Sequence, residues 1–244
     1  GVAGGIARFA PQLGWRDVPV VGLAEKVFKR PVAASNDVNL GLLAECTLAG
    51  LAKDASALGF FVGSGLGGGV YSGGRVLEGR AGLAGELGHV VVQPEGRRCG
   101  CGNLGCLEAY ASKASFLSRI KEALFEQGRA STLADEIGPD DVVIRSSTLK
   151  RAWDEGDGLV REVITDGMRH LGAGVASMIN AFDPDLVVLG GGVVESFGAP
   201  MIQQVIDNAR PHLFANEDRV DVIRAAALGD DAVALGAAQI APRA

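Results

Sequence analysis

Between Asp157 and Asp183 apolar residues fall at Val160, Val163, Ile164, Met168, Leu171, Val175, Met178, Ile179 and Phe182, the spacing of one helix face. Three residues later Leu186, Val187, Val188 and Leu189 read as a short apolar strand, which ends on Gly190, Gly191 and Gly192. A long amphipathic helix that runs at once into such a strand buries both surfaces together only in layered α/β architectures. The rest of the chain agrees with that constraint. After Asn36 and Asp37, the residues Leu40, Leu43, Ala44, Thr47, Leu48 and Leu51 repeat at helical spacing, and further helices are expected over 112–126, 199–213 and 231–240. Short apolar runs predict strands over 31–34, 58–62, 70–71 with 76–77, 89–92 and 220–223.

With 244 residues the chain can build one large domain or two lobes without disulfide staples. Its formal charge of −6 and scattered cations argue against a nucleic-acid surface in this segment, since phosphate binding needs clustered Lys and Arg. No apolar stretch reaches the ~20 residues that span a bilayer, and no basic segment followed by an apolar one opens the chain, so a cytoplasmic protein with no membrane partner is expected. Glycine is the outlying residue type: 36 of 244 is about 15%, twice the usual ~7%. The irregular stretch from Gly79 to Gly105 is long enough for a functional loop.

That stretch holds His89, Cys99 and Cys101, and Cys106 follows directly. Three thiolates and one imidazole make a closed tetrahedral zinc site, which is structural because no position is left for water. Gly100, Gly102 and Gly105 allow the backbone to fold tightly between the sulfurs. A disulfide is the alternative; an odd trio in a chain with no secretory signal argues against it. Cys46, on the apolar face of a helix, reads as a small buried residue.

Asn36 and Asp37 stand between a strand and a helix, where both types serve as N-caps. Glu86 precedes His89 by three residues and Glu108 follows Cys106 by two, so zinc would pin both carboxylates to one knot of chain; otherwise they are surface glutamates. A site gathering Asn36, Asp37, Glu86, His89 and Glu108 has many acceptors and few cations, which suits a polyhydroxylated neutral ligand such as a sugar. Gly63-Ser64-Gly65-Leu66-Gly67-Gly68-Gly69 follows one strand and precedes another, and its amides can approach a phosphate closely, although a plain hairpin turn fits the same residues. It lacks the Lys-Ser or Lys-Thr of a Walker A loop. Gly190 to Gly192 follow a strand end, where ligands of open α/β sheets gather.

Leu13-Gly14-Trp15-Arg16-Asp17-Val18-Pro19, Asn36-Asp37-Val38-Asn39, the glycine hairpin, Gly85-Glu86-Leu87-Gly88-His89, the loop through Cys106-Leu107-Glu108-Ala109-Tyr110 and Val188-Leu189-Gly190-Gly191-Gly192 together resemble the repressor, open reading frame and kinase family (ROK), specifically its glucokinase-like sugar kinases. The resemblance implies an actin-like ATPase, ribonuclease H-like α/β fold of two lobes with mixed sheets. Residues 1–55 would be the remainder of the N-terminal lobe, with the closing helix of 229–244 packed on it; residues 56–228 would form the C-terminal lobe with zinc loop 89–106. It implies Asp37 as the catalytic base and Asn36, Asp37, Glu86, His89 and Glu108 as sugar-holding residues, His89 also binding zinc with Cys99, Cys101 and Cys106. It implies nucleotide contacts from Gly63, Ser64, Gly65, Gly67, Gly68, Gly190, Gly191 and Gly192, with ATP and Mg²⁺ as partners of a hexose, and a homo-oligomer, dimer or tetramer.

Ser35 stands where the family usually has Glu, and Ser64 where it commonly has Thr. The family's opening Asp-x-Gly-Gly-Thr phosphate and magnesium motif has no counterpart in the sequence; it is expected upstream of Gly1, leaving the first lobe incomplete and the chain inactive by itself. The leading expectation is ATP-dependent phosphorylation of a hexose, glucose to glucose 6-phosphate. The alternatives are a sugar-responsive repressor of the same family, its DNA-binding part upstream, and a catalytically dead sugar-binding module.

Overall fold

The computed structural model describes residues 2–10 and 14–241, so Leu13 of the first motif lies outside the described residues. Strands β1 (Val2–Ala3), β2 (Ile6–Ala10) and β3 (Trp15–Val18) form an antiparallel sheet in that order, followed by helix α1 (Val20–Phe28). The second sheet is mixed. Its order is β6-β5-β4-β7-β8, with β4 (Ser56–Val62), β5 (Leu66–Ser72), β6 (Arg75–Val76), β7 (Leu186–Gly190) and β8 (Ile223–Ala225). β4, β7 and β8 run parallel, whereas β5 and β6 are antiparallel to their neighbours. The helices after α1 are α2 (Asp37–Leu48), α3 (Lys113–Lys121), α4 (Ser146–Asp154), α5 (Gly158–Phe182), α6 (Gly192–Phe197), α7 (Ala199–Ala209) and α8 (Ala232–Ile240).

Alternation along β4 divides the core between two faces of this sheet. Leu58, Phe60 and Val62 join Val187 and Leu189 of β7 against the buried stripe of α5, including Val160, Ile164, Met168 and Leu171. Ala57, with Tyr71 of β5 and Val188 of β7, meets Leu42 and Cys46 of α2 on the other face. Each fully buried Phe, Leu or Val contributes about 1.5–3 kcal/mol by leaving water. Helix ends are fixed by their own side chains. Asn36 Oδ1 accepts the amides of Val38 (2.9 Å) and Asn39 (3.3 Å) at the start of α2. Asp157 accepts Val160 N–H at the start of α5, and Ser112 and Ser115 form a capping box on α3.

α8 lies on α2 at close range, since a Cβ added to Gly236 would stand 2.0 Å from the Leu40 carbonyl oxygen. Glu45, only 5% exposed, ties the same helix to the chain entering α8, accepting N–H bonds from Ala227 (2.9 Å) and Leu228 (2.8 Å).

Several expectations are corrected by the structure. Residues 31–34 carry no ladder partner; Pro31 lacks the N–H that pairing requires. The expected strand over 89–92 is a 3-10 turn, Leu87–His89, followed by a single bridge from Val91 to Cys106. Over 220–223 most residues belong to a 3-10 segment, Glu217–Val222, and the strand begins at Ile223. The glycine hairpin turns only over Gly63 to Gly65; Gly67, Gly68 and Gly69 are strand residues opposite Phe61, Phe60 and Gly59.

Candidate functional site

The parallel strands β4 and β7 end side by side, and each continues into glycine. At the end of β4, Gly63 and Ser64 offer their carbonyls to Lys113 N–H (3.0 Å) and Ala114 N–H (3.2 Å), the first amides of α3. Leu66 N–H donates to Glu108 Oε2 at 2.9 Å. The amides of Ser64 and Gly65 have no hydrogen-bond partner among the described residues. At the end of β7, Gly191 has φ +87°, and a Cβ there would stand 2.7 Å from the Val62 carbonyl oxygen; only glycine fits.

Asp37 opens α2 beside these strand ends. Its Oδ1 accepts the Val38 amide at 3.0 Å, and its side chain is exposed. It lines a cavity of about 270 Å³ with Gly191, Gly192, Glu45, Glu195 and Asp230. Gly190 belongs to the wall of an adjoining recess of about 430 Å³, lined mainly by aliphatic and small residues such as Leu189, Val194 and Ile202. Asn36, by contrast, spends its side-chain oxygen on capping α2.

Strand β5 brings Glu86 and His89 to the same end of the sheet. Val38, next to Asp37, occupies the space where Gly67 would carry a Cβ (2.5 Å), and Leu87, next to Glu86, occupies that of Gly68 (2.5 Å). Since successive residues of a strand face opposite ways, the two segments reach β5 from its two faces. The close approach depends on glycine, for a Cβ on Gly88 would stand 2.0 Å from the Leu66 carbonyl oxygen. Glu86 is exposed; its carbonyl accepts His89 N–H at 3.0 Å, and its carboxylate has no hydrogen-bond partner among the described residues.

His89, Cys99, Cys101 and Cys106 converge, all four ligand atoms lying within 4.8 Å of one another. Zn–S bonds of about 2.3 Å and a Zn–N bond of about 2.0–2.1 Å in a tetrahedron put two sulfurs about 3.75 Å apart and a sulfur and a nitrogen about 3.55 Å apart. Cys101 Sγ lies 3.7 Å from Cys106 Sγ, and His89 Nδ1 lies 3.6 Å from Cys99 Sγ. The donor set therefore fits a tetrahedral metal, and the four cysteines of the chain are free thiols. Burial pushes the Cys99 thiol up to about 12, so a metal that binds there displaces a proton. With Nδ1 turned to the sulfurs, Nε2 of His89 is left for another partner.

Glu108 joins the two halves of this arrangement. One carboxylate oxygen holds the Leu66 amide; the other lies 3.5 Å from Cys99 Sγ. The chain carrying Glu108 rests on α5, where Gly167, His170 and Gly174 form a flat strip beneath Leu107 and Tyr110. Sequence reasoning missed Glu45 and His170. Glu45 could have been found: it lies eight residues after Asp37, on the same helical face, beside the buried Cys46.

Comparison with known proteins agrees with this architecture. The family model described as ROK family matches residues 3–244. The xylose repressor of Caldicellulosiruptor bescii is 32% identical over 95% of this chain and 57% of its own, so the chain spans little more than half that relative's length. The glucokinase of Thermotoga maritima is 33% identical over 97% of this chain and 74% of its own. The crystal structure of a ROK family glucokinase from Streptomyces griseus, in complex with glucose and AMPPNP, superposes with a TM-score of 0.80 at 31% identity, covering 97% of this chain and 76% of that one. The fold is the α/β, actin-like ATPase architecture of these sugar kinases. On the family match and these identities, the chain belongs to the ROK family.

Proposed function

We propose that this chain carries the sugar-binding and phosphoryl-transfer face of an ATP-dependent hexose kinase, with glucose as the substrate and glucose 6-phosphate as the product. The observation that carries the reading is Asp37, an exposed carboxylate at a helix start, sharing one cavity with the glycines that end β7. Phosphoryl transfer asks little covalent chemistry of a protein; positioning and charge stabilisation do most of it. Asp37 takes the proton of the attacking sugar hydroxyl through Oδ2, Oδ1 being held by Val38 N–H. The hydroxyl oxygen forms a bond to the γ-phosphorus of ATP as the bond to the β–γ bridging oxygen breaks, and ADP leaves. A carboxylate in that position is worth ~10²–10⁴ in rate.

Glu86, Glu108 and the free Nε2 of His89 accept or donate to the hydroxyls that orient the hexose. Zinc, when bound, supplies a fixed orientation for the His89 ring and for the loop leading to Glu108. Ser64 and Gly65 present their two unpaired amides to phosphate oxygens, while Gly191 and Gly192 let the nucleotide approach backbone. The aliphatic recess beside Gly190 suits the adenine ring. Gly67 and Gly68 serve packing in this reading, since α2 and the Gly85–Gly88 segment fill their Cβ positions.

The test is a hexose panel with ATP and Mg²⁺ on the complete gene product, with Asp37→Asn beside it. Turnover of glucose that disappears in Asp37→Asn while glucose binding survives supports the kinase; unchanged turnover in that variant removes Asp37 from its role. The repressor reading rests on the xylose repressor, as similar to this chain as the glucokinases are. Hexose binding without any turnover by the complete protein would favour it.

A further inference from the structure

We infer that His170 and Gln93 form a positioning clamp that holds the cysteine loop against α5 and thereby controls metal retention and the placement of Glu108. Neither residue is among the proposed metal or sugar ligands, and the inference for Glu108 rests on the sugar-kinase reading.

The cysteine loop has almost no apolar interior of its own: Cys99, Cys106, Ala109, Tyr110 and the half-buried Val92 are its whole cluster. Its legs are joined by backbone bonds, Val92 N–H to Gly105 O (2.9 Å), Gly105 N–H to Arg97 O (2.8 Å) and Leu107 N–H to Val90 O (2.9 Å). Besides the Glu108 bond to Leu66 N–H, two contacts fix the loop to the body: the Arg97 guanidinium pairs with Glu122, and α5 holds Tyr110. The Tyr110 hydroxyl accepts Arg97 N–H at 2.7 Å, inside the loop, and its ring stacks on the His170 ring at 4.0 Å and 15°. His170 lies on α5 between Gly167 and Gly174, whose missing side chains make room for the Tyr110 carbonyl and for Leu107.

The imidazole is oriented at both nitrogens. Nδ1 lies 2.8 Å from the Asp166 carbonyl oxygen, which can only accept, so Nδ1 carries a proton. Nε2 lies 3.2 Å from Gln93 Oε1. In the neutral ring Nε2 is an acceptor, and the Gln93 amide then turns its NH₂ toward it, its two ends being interchangeable by a half-turn. Gln93 stands at the bend of the loop, where its carbonyl also accepts Gly96 N–H at 3.0 Å. The clamp thus grips the loop twice, at Gln93 by a hydrogen bond and at Arg97 through the Tyr110 stack.

The experiment uses the zinc-loaded complete gene product and the variants Gln93→Ala, His170→Phe and the double variant. His170→Phe keeps an aromatic ring over Tyr110 and removes both nitrogens; Gln93→Ala is an exposed loop change that leaves the core intact. Zinc release into a chelating dye is timed, and glucose binding is measured by calorimetry. Each single variant is expected to release zinc about ten-fold faster, and the double variant no faster than the faster single one, because one shared bond is lost. Glucose affinity is expected to fall in Gln93→Ala without a matching fall in kcat. Release rates within two-fold of the parent in folded Gln93→Ala overturn the clamp, as do fully multiplicative effects or a chain that takes up no zinc. Fast release in the variants of a protein that binds no glucose supports the clamp and counts against the kinase reading instead.

Discussion

Gly88→Ala tests the packing that brings His89 to the end of the sheet. The residue sits in a 3-10 turn outside the left-handed region, so alanine is conformationally acceptable and would by itself stabilise by about 0.4–1 kcal/mol through the unfolded chain. The new methyl carbon, however, would stand 2.0 Å from the Leu66 carbonyl oxygen and must retreat to at least 3.4 Å, a displacement of about 1.4 Å. Both sides of that contact are backbone, so no flexible side chain can yield. Overpacking of this kind costs about 1–3 kcal/mol. For a chain of this size each kcal/mol lowers the melting temperature by about 2–4 °C. The shift falls on the residue next to His89, and zinc ligands tolerate only about 0.2 Å. Gly100→Ala is the matched control in the same region: it has open space around its Cβ position and is not left-handed. Melting curves and zinc stoichiometry after dialysis against a chelator should show Gly88→Ala less stable and depleted of metal, with Gly100→Ala unchanged. A Gly88→Ala protein as stable and as metal-rich as its parent would refute the account of how the Glu86–His89 turn is held on β5.

Glu45→Ala should lower stability by about 1.5–3 kcal/mol, the worth of hydrogen bonds to a charged acceptor, because the amides of Ala227 and Leu228 lose their shared partner; urea titration reads this directly. Asp157 predicts an acid limit. Burial raises its pKa, but the bonds from Ser131, Val160 and Thr132 outweigh burial and hold it below the ordinary 3.8. The folded chain therefore binds fewer protons than the unfolded one near that pH, so this stabilisation is full above the carboxylate range and is lost as pH falls through it. Urea midpoints between pH 6 and 3 should drop less steeply in Asp157→Asn than in the parent. Cys101→Ser should weaken glucose binding in the complete protein by loosening His89 and Glu108 together; calorimetry showing the parent affinity in a zinc-free preparation would contradict it.

Much of the architecture was legible because it follows from periodicity. The 25-residue α5 carries its apolar stripe over seven turns and has caps at Asp157 and Asp183, so the sequence predicts its bounds within a residue. The strand after it is equally plain. The convergence of His89, Cys99, Cys101 and Cys106 could be read because chemistry and spacing coincide in one short segment. The helices that the sequence reading misses are short and bury little. α1 buries none of its residues fully, and α4 carries only Leu149 and Ala152 inside. The run over 89–92 reads as a strand from its valines alone, yet tertiary contact with Cys106 and Leu66 bends it into a turn. Propensity describes what a segment tolerates, and here packing decides.

The candidate site was legible as a set of residues and illegible as a mechanism of coupling. No spacing rule says that Glu108 will hold the amide of Leu66, forty-two positions earlier, while its other oxygen approaches Cys99. That bond has a physical consequence. The cysteine loop, the glycine turn after β4 and the first amides of α3 become one hydrogen-bonded unit, since Gly63 and Ser64 also accept from Lys113 and Ala114. A displacement of the loop is then passed to the turn that carries the unpaired Ser64 and Gly65 amides, through charge-assisted hydrogen bonding and with little side-chain freedom to absorb it. The proposed metal retention and the proposed phosphate binding, which look like separate properties of separate motifs in the sequence, are linked in the fold by one carboxylate, Glu108. Glu108→Gln, which keeps the shape and the acceptor but removes the charge, should therefore weaken nucleotide and sugar binding together. A variant that loses one and keeps the other would uncouple the two loops and leave Glu108 as an ordinary sugar contact.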